Sequence, residues 1–137
     1  MNPVPPPPVP FRGSPIILLI EDDPGFTYLM QRYVQRSGCR LVTLKPDEAT
    51  PALIQQTQPA VLVLDVASHP QASLEMLRTL KSDLLTSEIP VVVCSELEQE
   101  ARSLEIGAEV YLSKPVMYYD FLTALADTGV LSPIYPE

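Results

Sequence analysis

Basic residues are scarce in this chain: nine Lys plus Arg stand against seventeen Asp plus Glu, a formal net charge of -8 over 137 residues. A surface so short of cations repels phosphate backbones, so nonspecific DNA binding is excluded and no nucleic-acid partner is expected. Cysteine is nearly absent as well. Cys39 and Cys94 form no metal-type cluster, and Cys94 lies inside an apolar run where a reduced thiol packs well, which fits a reducing compartment. The only histidine, His69, has no helical phosphotransfer pattern around it and reads as a loop residue. Long hydrophobic runs are missing too. Stretches such as Ile16–Ile20 and Ala60–Leu64 are far shorter than the ~20 residues needed to cross a bilayer. The amino end also lacks the charged-then-apolar layout of a signal peptide. The expectation is a soluble, cytoplasmic protein without membrane insertion.

What is present is enough apolar material, 46% of the residues, for one domain with a single core and little left for a second. Residues 1–15 hold seven of the sixteen prolines, including Pro5-Pro6-Pro7-Pro8. That composition favours a solvated polyproline II arm; docking of the arm into an aromatic-lined groove on a partner is the other reading. The folded domain is assigned to residues 16–128 and a short tail to 129–137, too short for an output domain.

Within the domain, strand-like runs alternate with helical patterns. After Pro24, which suits a first helical turn, Phe26, Leu29, Met30, Tyr33 and Val34 recur at the spacing of an amphipathic helix that Gly38 stops. Leu41–Leu44 reads as a second strand, Asp47–Gln56 as a second helix and Ala60–Leu64 as a third strand. The last is apolar at every position, which means burial on both faces. A helix over Ser73–Lys81, a strand over Val91–Cys94, a helix over Leu97–Ile106 closed by Gly107, a strand over Glu109–Leu112 and a helix over Tyr118–Thr128 complete the pattern. Alternation of this kind calls for an α/β, doubly wound, five-stranded parallel sheet covered by helices on both sides, with right-handed crossovers.

The strand ends carry the chemistry. Ile16–Ile20 runs into Glu21-Asp22-Asp23, Ala60–Leu64 into Asp65, Val91–Cys94 into Ser95, and Val110–Ser113 into Lys114-Pro115. Ligands of open parallel sheets bind outside the carboxyl ends of the strands, so these residues converge although they are far apart in sequence. Crowded carboxylates repel unless a cation sits among them, and an oxygen-only ligand set with room for water suits Mg²⁺ or Mn²⁺. Alternatively, the acidic triplet caps the helix starting at Pro24 and complements its dipole.

At this order and spacing, residues 15–128 resemble the CheY-like response-regulator receiver domain of two-component phosphorelays. The resemblance implies a flavodoxin-like (βα)5 fold with strand order 2-1-3-4-5. It implies that Asp65 is the nucleophile that takes a phosphoryl group from a histidine kinase or histidine phosphotransfer protein, with Lys114 and Ser95 engaging the phosphoryl oxygens. Metal ligation is implied for Asp22 directly, Glu21 through water, Asp65, and the backbone carbonyl of Ala67. Tyr111 matches the aromatic switch that moves with Ser95, and Lys114-Pro115 matches a bond that is often cis. Such a protein assists its own phosphorylation and dephosphorylation without being a conventional enzyme, and signals by binding an output protein that the sequence does not name.

Three features depart from the family pattern. Glu96 follows Ser95 where a small residue is usual; it either gates the phosphorylation pocket or caps the fourth helix. The stretch from Ser95 to Lys114 is roughly three residues short, close to one helical turn. His69 and Ser73 stand where Pro and Gly are common. Two alternatives remain at this point: a degenerate receiver working as an unphosphorylated binding module, and a Mg²⁺-dependent haloacid-dehalogenase-type phosphohydrolase, whose nucleophile would end the first strand, where Glu21 stands.

Overall fold

Each apolar run becomes a strand and each amphipathic stripe a helix. A computed structural model describes residues 14–66, 69–96 and 98–131. The proline-rich arm up to residue 13, Ala67, Ser68, Leu97 and the tail beyond residue 131 lie outside the described residues. Among the described residues the order is β1 (Ile16–Ile20), α1 (Pro24–Ser37), β2 (Arg40–Leu44), α2 (Pro51–Thr57), β3 (Val61–Asp65), α3 (Pro70–Ser82), β4 (Val91–Ser95), α4 (Glu100–Ile106), β5 (Val110–Ser113) and α5 (Tyr118–Asp127). The strands form one sheet in the order β2-β1-β3-β4-β5, every neighbouring pair parallel. This is the doubly wound arrangement the alternation called for.

The period of two along a strand splits the apolar residues between two cores. Ile17, Leu19, Val61, Val63, Val92 and Cys94 pack with Phe26, Met30 and Val34 of α1 and with Phe121 and Leu125 of α5. Their alternates Leu18, Ile20, Leu62, Leu64, Val91 and Val93 pack with Ile54 of α2 and with Leu74, Leu77 and Leu80 of α3. A strand with helices on both sides has no wet face, which is why β3 and β4 are apolar almost without interruption.

Local signals set the helix ends. Asp23 caps α1 by accepting the Gly25 N–H at 3.0 Å, Pro24 occupies its first turn, and Gly38 ends it at φ 83°, a conformation that a residue with a Cβ adopts at a cost. The second helical pattern is interrupted. A 3₁₀ turn at Pro46–Glu48 precedes α2, which begins only at Pro51 with Thr50 as its cap. The reason is local: Pro51 disfavours helical backbone at Thr50, whose hydroxyl then accepts the Leu53 N–H at 3.2 Å. In the same way α3 starts at Pro70, three residues ahead of Ser73, because proline is well placed in a first turn. Helix α4 starts at Glu100 and is only seven residues long, in keeping with the shortened stretch before Lys114.

At the amino ends of β4 and β5 a polar brace fixes their pairing. Lys81 Nζ donates to the Ile89 carbonyl and to Glu109 Oε2, both at 3.0 Å, while Glu109 Oε1 accepts the Val91 N–H at 2.7 Å. The opposite, carboxyl edge of the sheet carries the residues singled out above.

Leu62, fully buried in β3, should lose about 2–5 kcal/mol of stability on substitution by Ala, through lost burial and the cavity left behind. Leu84, 94% exposed, should change by no more than about 0.5 kcal/mol on the same substitution. Urea unfolding of the two variants checks the contrast, and equal losses would contradict this core assignment.

Candidate functional site

Parallel strands bring their carboxyl ends to one edge. Glu21 follows β1, Asp65 closes β3, Ser95 closes β4 and Lys114 follows β5. Asp65 is in register with Cys94, and Ser95 with Ser113. Lys114 is tied to the neighbouring strand by its own N–H, which donates to the Ser95 carbonyl at 2.9 Å. Its ammonium then donates to Asp65 Oδ2 in an ion pair whose carboxylate side chain is only 2% exposed. The ammonium also stands 4.1 Å from the centroid of the Phe26 ring, on α1.

Glu21 is as buried as Asp65. Its Oε1 accepts the Asp22 N–H at 3.0 Å, whereas its Oε2 is buried with no hydrogen-bond partner among the described residues. Burial first, and then the adjoining Asp65 carboxylate by hydrogen bonding and charge, raise the Glu21 pKa from 4.5 to about 8; the Asp22 amide and the Lys114 ammonium act in the opposite direction. A proton on Glu21 can thus be shared with Asp65, and with both groups ionised the orphaned oxygen has no donor. Next to them, burial pushes the Cys94 thiol up to about 12, helped by Asp65, so Cys94 is a packed, unreactive thiol.

The remaining sequence candidates are placed less uniformly. Asp22 is exposed, and among the described residues no three His, Cys, Asp or Glu side chains are grouped closely enough to hold a metal ion. Of the three carboxylates expected at this edge, Glu21 and Asp65 are buried and Asp22 is exposed, in the turn leading to the Asp23 cap. Asp23 itself does serve as the helix cap, the alternative role considered for the triplet. Ala67 lies outside the described residues. Ser95 is fully buried, and the half-buried Tyr111 accepts the Gln99 N–H on its hydroxyl at 3.3 Å. The Lys114-Pro115 bond is cis. Glu96 is exposed and lines, with Asp23, Gly25, Phe26 and Lys114, a cleft of about 430 Å³. It precedes α4 by four residues, and the acid in that helix's first turn is Glu100 instead.

Some contacts were not legible as functional. Ser73, expected at the start of the third helix and noted as a departure from the family pattern, sits in α3 and donates its hydroxyl to the Asp65 carbonyl at 3.3 Å. Tyr33, one position of the apolar stripe, donates its hydroxyl to the Val116 carbonyl at 2.8 Å and packs against Tyr118 and Phe121 at 5.2 and 5.7 Å between ring centroids. It thereby anchors the segment that carries Lys114 to α1. Periodicity marks Phe26 and Tyr33 as core and nothing more, since their polar contacts arise only where α1 crosses the segment after β5.

With this geometry described, comparison with known proteins is specific. Residues 17–126 match the response regulator receiver domain. PilH of Pseudomonas aeruginosa is 28% identical over 103 residues, which are 73% of this chain and 85% of PilH. The phosphate regulon transcriptional regulatory protein PhoB of the same organism is 26% identical over 102 residues, 72% of this chain but 44% of PhoB, so the chain spans less than half the length of that relative. Among solved structures, the bacteriophytochrome response regulator AtBRR superposes with a TM-score of 0.71 at 28% identity, covering 92% of this chain and 100% of that one. Chemotaxis protein CheY4 of Vibrio cholerae superposes at 0.72 with 18% identity, covering 85% and 99%, a likeness of fold.

The raised Glu21 pKa implies a signed pH dependence. The unfolded chain releases this proton near 4.5 and the folded chain near 8. The associated stability is therefore complete below the lower value and is lost as pH rises through the window to the upper one. In metal-free buffer, urea midpoints of the wild type should fall across that window, and Glu21→Gln should flatten the fall. A Gln variant with the wild-type slope would assign it to other groups.

Proposed function

Because this chain belongs to the family of response-regulator receiver domains, we propose that it is a phosphoacceptor in a two-component phosphorelay. In this reading Asp65 takes a phosphoryl group from a phosphohistidine of a histidine kinase or histidine phosphotransfer protein, and the product signals by binding an output protein. The observation that carries the proposal is the buried Asp65 carboxylate held by Lys114 beside Glu21 at the carboxyl edge of the sheet. In transfer, an Asp65 carboxylate oxygen forms a bond to phosphorus while the bond from phosphorus to the histidine nitrogen breaks, its electron pair leaving with the imidazole. Negative charge moves outward from the carboxylate to the phosphoryl oxygens. The Lys114 ammonium follows that charge, and the Ser95 hydroxyl donates to one of the same oxygens, with Tyr111 responding as the switch.

Glu21, Asp22, Asp65 and the Ala67 carbonyl are the residues that would hold Mg²⁺ or Mn²⁺. The orphaned Glu21 oxygen and the mutual repulsion of Glu21 and Asp65 suit a hard cation, and the exposed Asp22 leaves room for the waters that Mg²⁺ retains. When bound, such an ion offsets the charge of the carboxylates and of the phosphoryl group. The haloacid-dehalogenase reading is set aside, since a nucleophile ending the third strand and membership of the receiver family both oppose it. The binding-module alternative keeps one supporting observation, the Glu96 carboxylate at the cleft beside Lys114.

Incubation with acetyl phosphate and Mg²⁺ should label the wild type on Asp65, as read by intact-protein and peptide mass spectrometry. Asp65→Asn, of equal volume but a poor nucleophile, should show no labelling. An unlabelled wild type would favour the binding module, and a labelled Asn variant would point to a different acceptor.

Glu96→Ala should accelerate both labelling and loss of the label by ~10-fold, which needs only ~1.4 kcal/mol of relieved repulsion at the mouth of the site. Stopped-flow rates unchanged in both directions would remove Glu96 from the pathway of phosphate and water.

A further inference from the structure

We propose that Phe26 is a positioning residue for Lys114, its ring face forming a pivot that keeps the ammonium over the site as charge moves from Asp65 to a phosphoryl group. The inference rests on the phosphoacceptor reading above and deepens it. Phe26 is one of five positions in the apolar stripe of α1, yet the described structure distinguishes it: the Lys114 ammonium lies 4.1 Å from its ring centroid, well within the range of cation–π attraction. Phe26 is 7% exposed, so the ring is fixed by the core it belongs to and offers the cation a stable surface.

The physical argument turns on direction. The hydrogen bond from Lys114 to Asp65 Oδ2 is directional and is tied to one oxygen. Once Asp65 is esterified, that oxygen no longer carries the charge, and the ammonium must swing toward the phosphoryl oxygens. A ring face attracts a cation across a broad area, so the ammonium can make this swing without leaving it. An aliphatic residue would fill the same volume but offer no such hold. A carboxylate at this place would compete with the phosphoryl group. Competition is real at this site, because the cleft shared by Phe26 and Lys114 is also lined by Asp23 and Glu96. Asp23 is committed to the Gly25 N–H of the α1 cap. Glu96 remains as the rival attractor, and the neutral ring resists it without adding negative charge.

The test replaces Phe26 with mono-, di- and trifluorophenylalanine, which progressively weaken the ring's attraction for cations while preserving its shape, so the fold is retained. Two readouts are followed in the full chain: the rate of Asp65 labelling by acetyl phosphate with Mg²⁺, in which acetate leaves as the oxygen–phosphorus bond to Asp65 forms, and the rate of Lys114 acylation by an amine-reactive ester. Labelling should slow and acylation should quicken stepwise with fluorination, each by ~5-fold at the trifluoro ring. Phe26→Leu should resemble the trifluoro ring, and Phe26→Tyr should restore both rates, which a purely space-filling role would not require. Rates independent of fluorination overturn the proposal, as does a graded acylation rate with a constant labelling rate. If the wild type itself is not labelled, the phosphoacceptor reading fails; graded acylation would then still establish the ring's hold on Lys114.

Discussion

Two carboxylic groups, Glu21 and Asp65, are buried against each other, and the Lys114 ammonium is paired with Asp65. Carboxylates removed from water are costly, and the cost is tolerable only when each oxygen finds a donor, a proton or a cation. Lys114 satisfies Asp65, and the Asp22 amide satisfies one oxygen of Glu21. The other has no hydrogen-bond partner among the described residues. With both groups ionised the edge holds an excess of negative charge, which a proton on Glu21 relieves below about pH 8 and a divalent cation would relieve in its place. A site poised in this way attracts positive charge but can also accept a group whose own charge is neutralised on arrival.

That arrangement depends on packing that is otherwise unremarkable. Each strand delivers its last residue to the same edge because the two cores fix the sheet from both sides. The two edges are secured by different means. At the amino end of β4 and β5, Lys81 and Glu109 form a closed set of hydrogen bonds. At the carboxyl end, hydrogen bonds come from separate helices: the Tyr33 hydroxyl of α1 to the segment after β5, and the Ser73 hydroxyl of α3 to Asp65. In the phosphoacceptor reading proposed above this edge would change charge, and contacts from separate helices are placed to register such a change.

The shortened α4 bears on how such a change could spread. Tyr111 is connected to the start of this helix through the Gln99 N–H, and a helix of seven residues has few internal hydrogen bonds to resist adjustment of its first turn. The cleft lined by Glu96, Glu98, Glu100, Ala101, Tyr111 and Ser113 borders the same contact. Movement of Tyr111 would therefore alter an acidic surface as well as the helix end.

The sequence by itself determined the alternation of elements, the parallel sheet and the edge at which the candidate site residues gather, because these follow from periodicity and from the residues that end each run. It located Glu21, Asp65, Ser95 and Lys114 by the same logic: position after a strand is a one-dimensional property. Where a proline intervened, as at Pro51 and Pro70, helix starts moved by a few residues, since local backbone preference outweighed the apolar pattern. Tertiary structure alone decided which carboxylates face each other, that Asp22 stays exposed while Glu21 is buried, and that Phe26, Ser73 and Tyr33 reach the site. Those outcomes depend on how α1, α3 and the segment after β5 cross in three dimensions. Burial and proximity, which shift a pKa or bring a ring against a cation, are properties of that crossing, and no single stretch of sequence contains them.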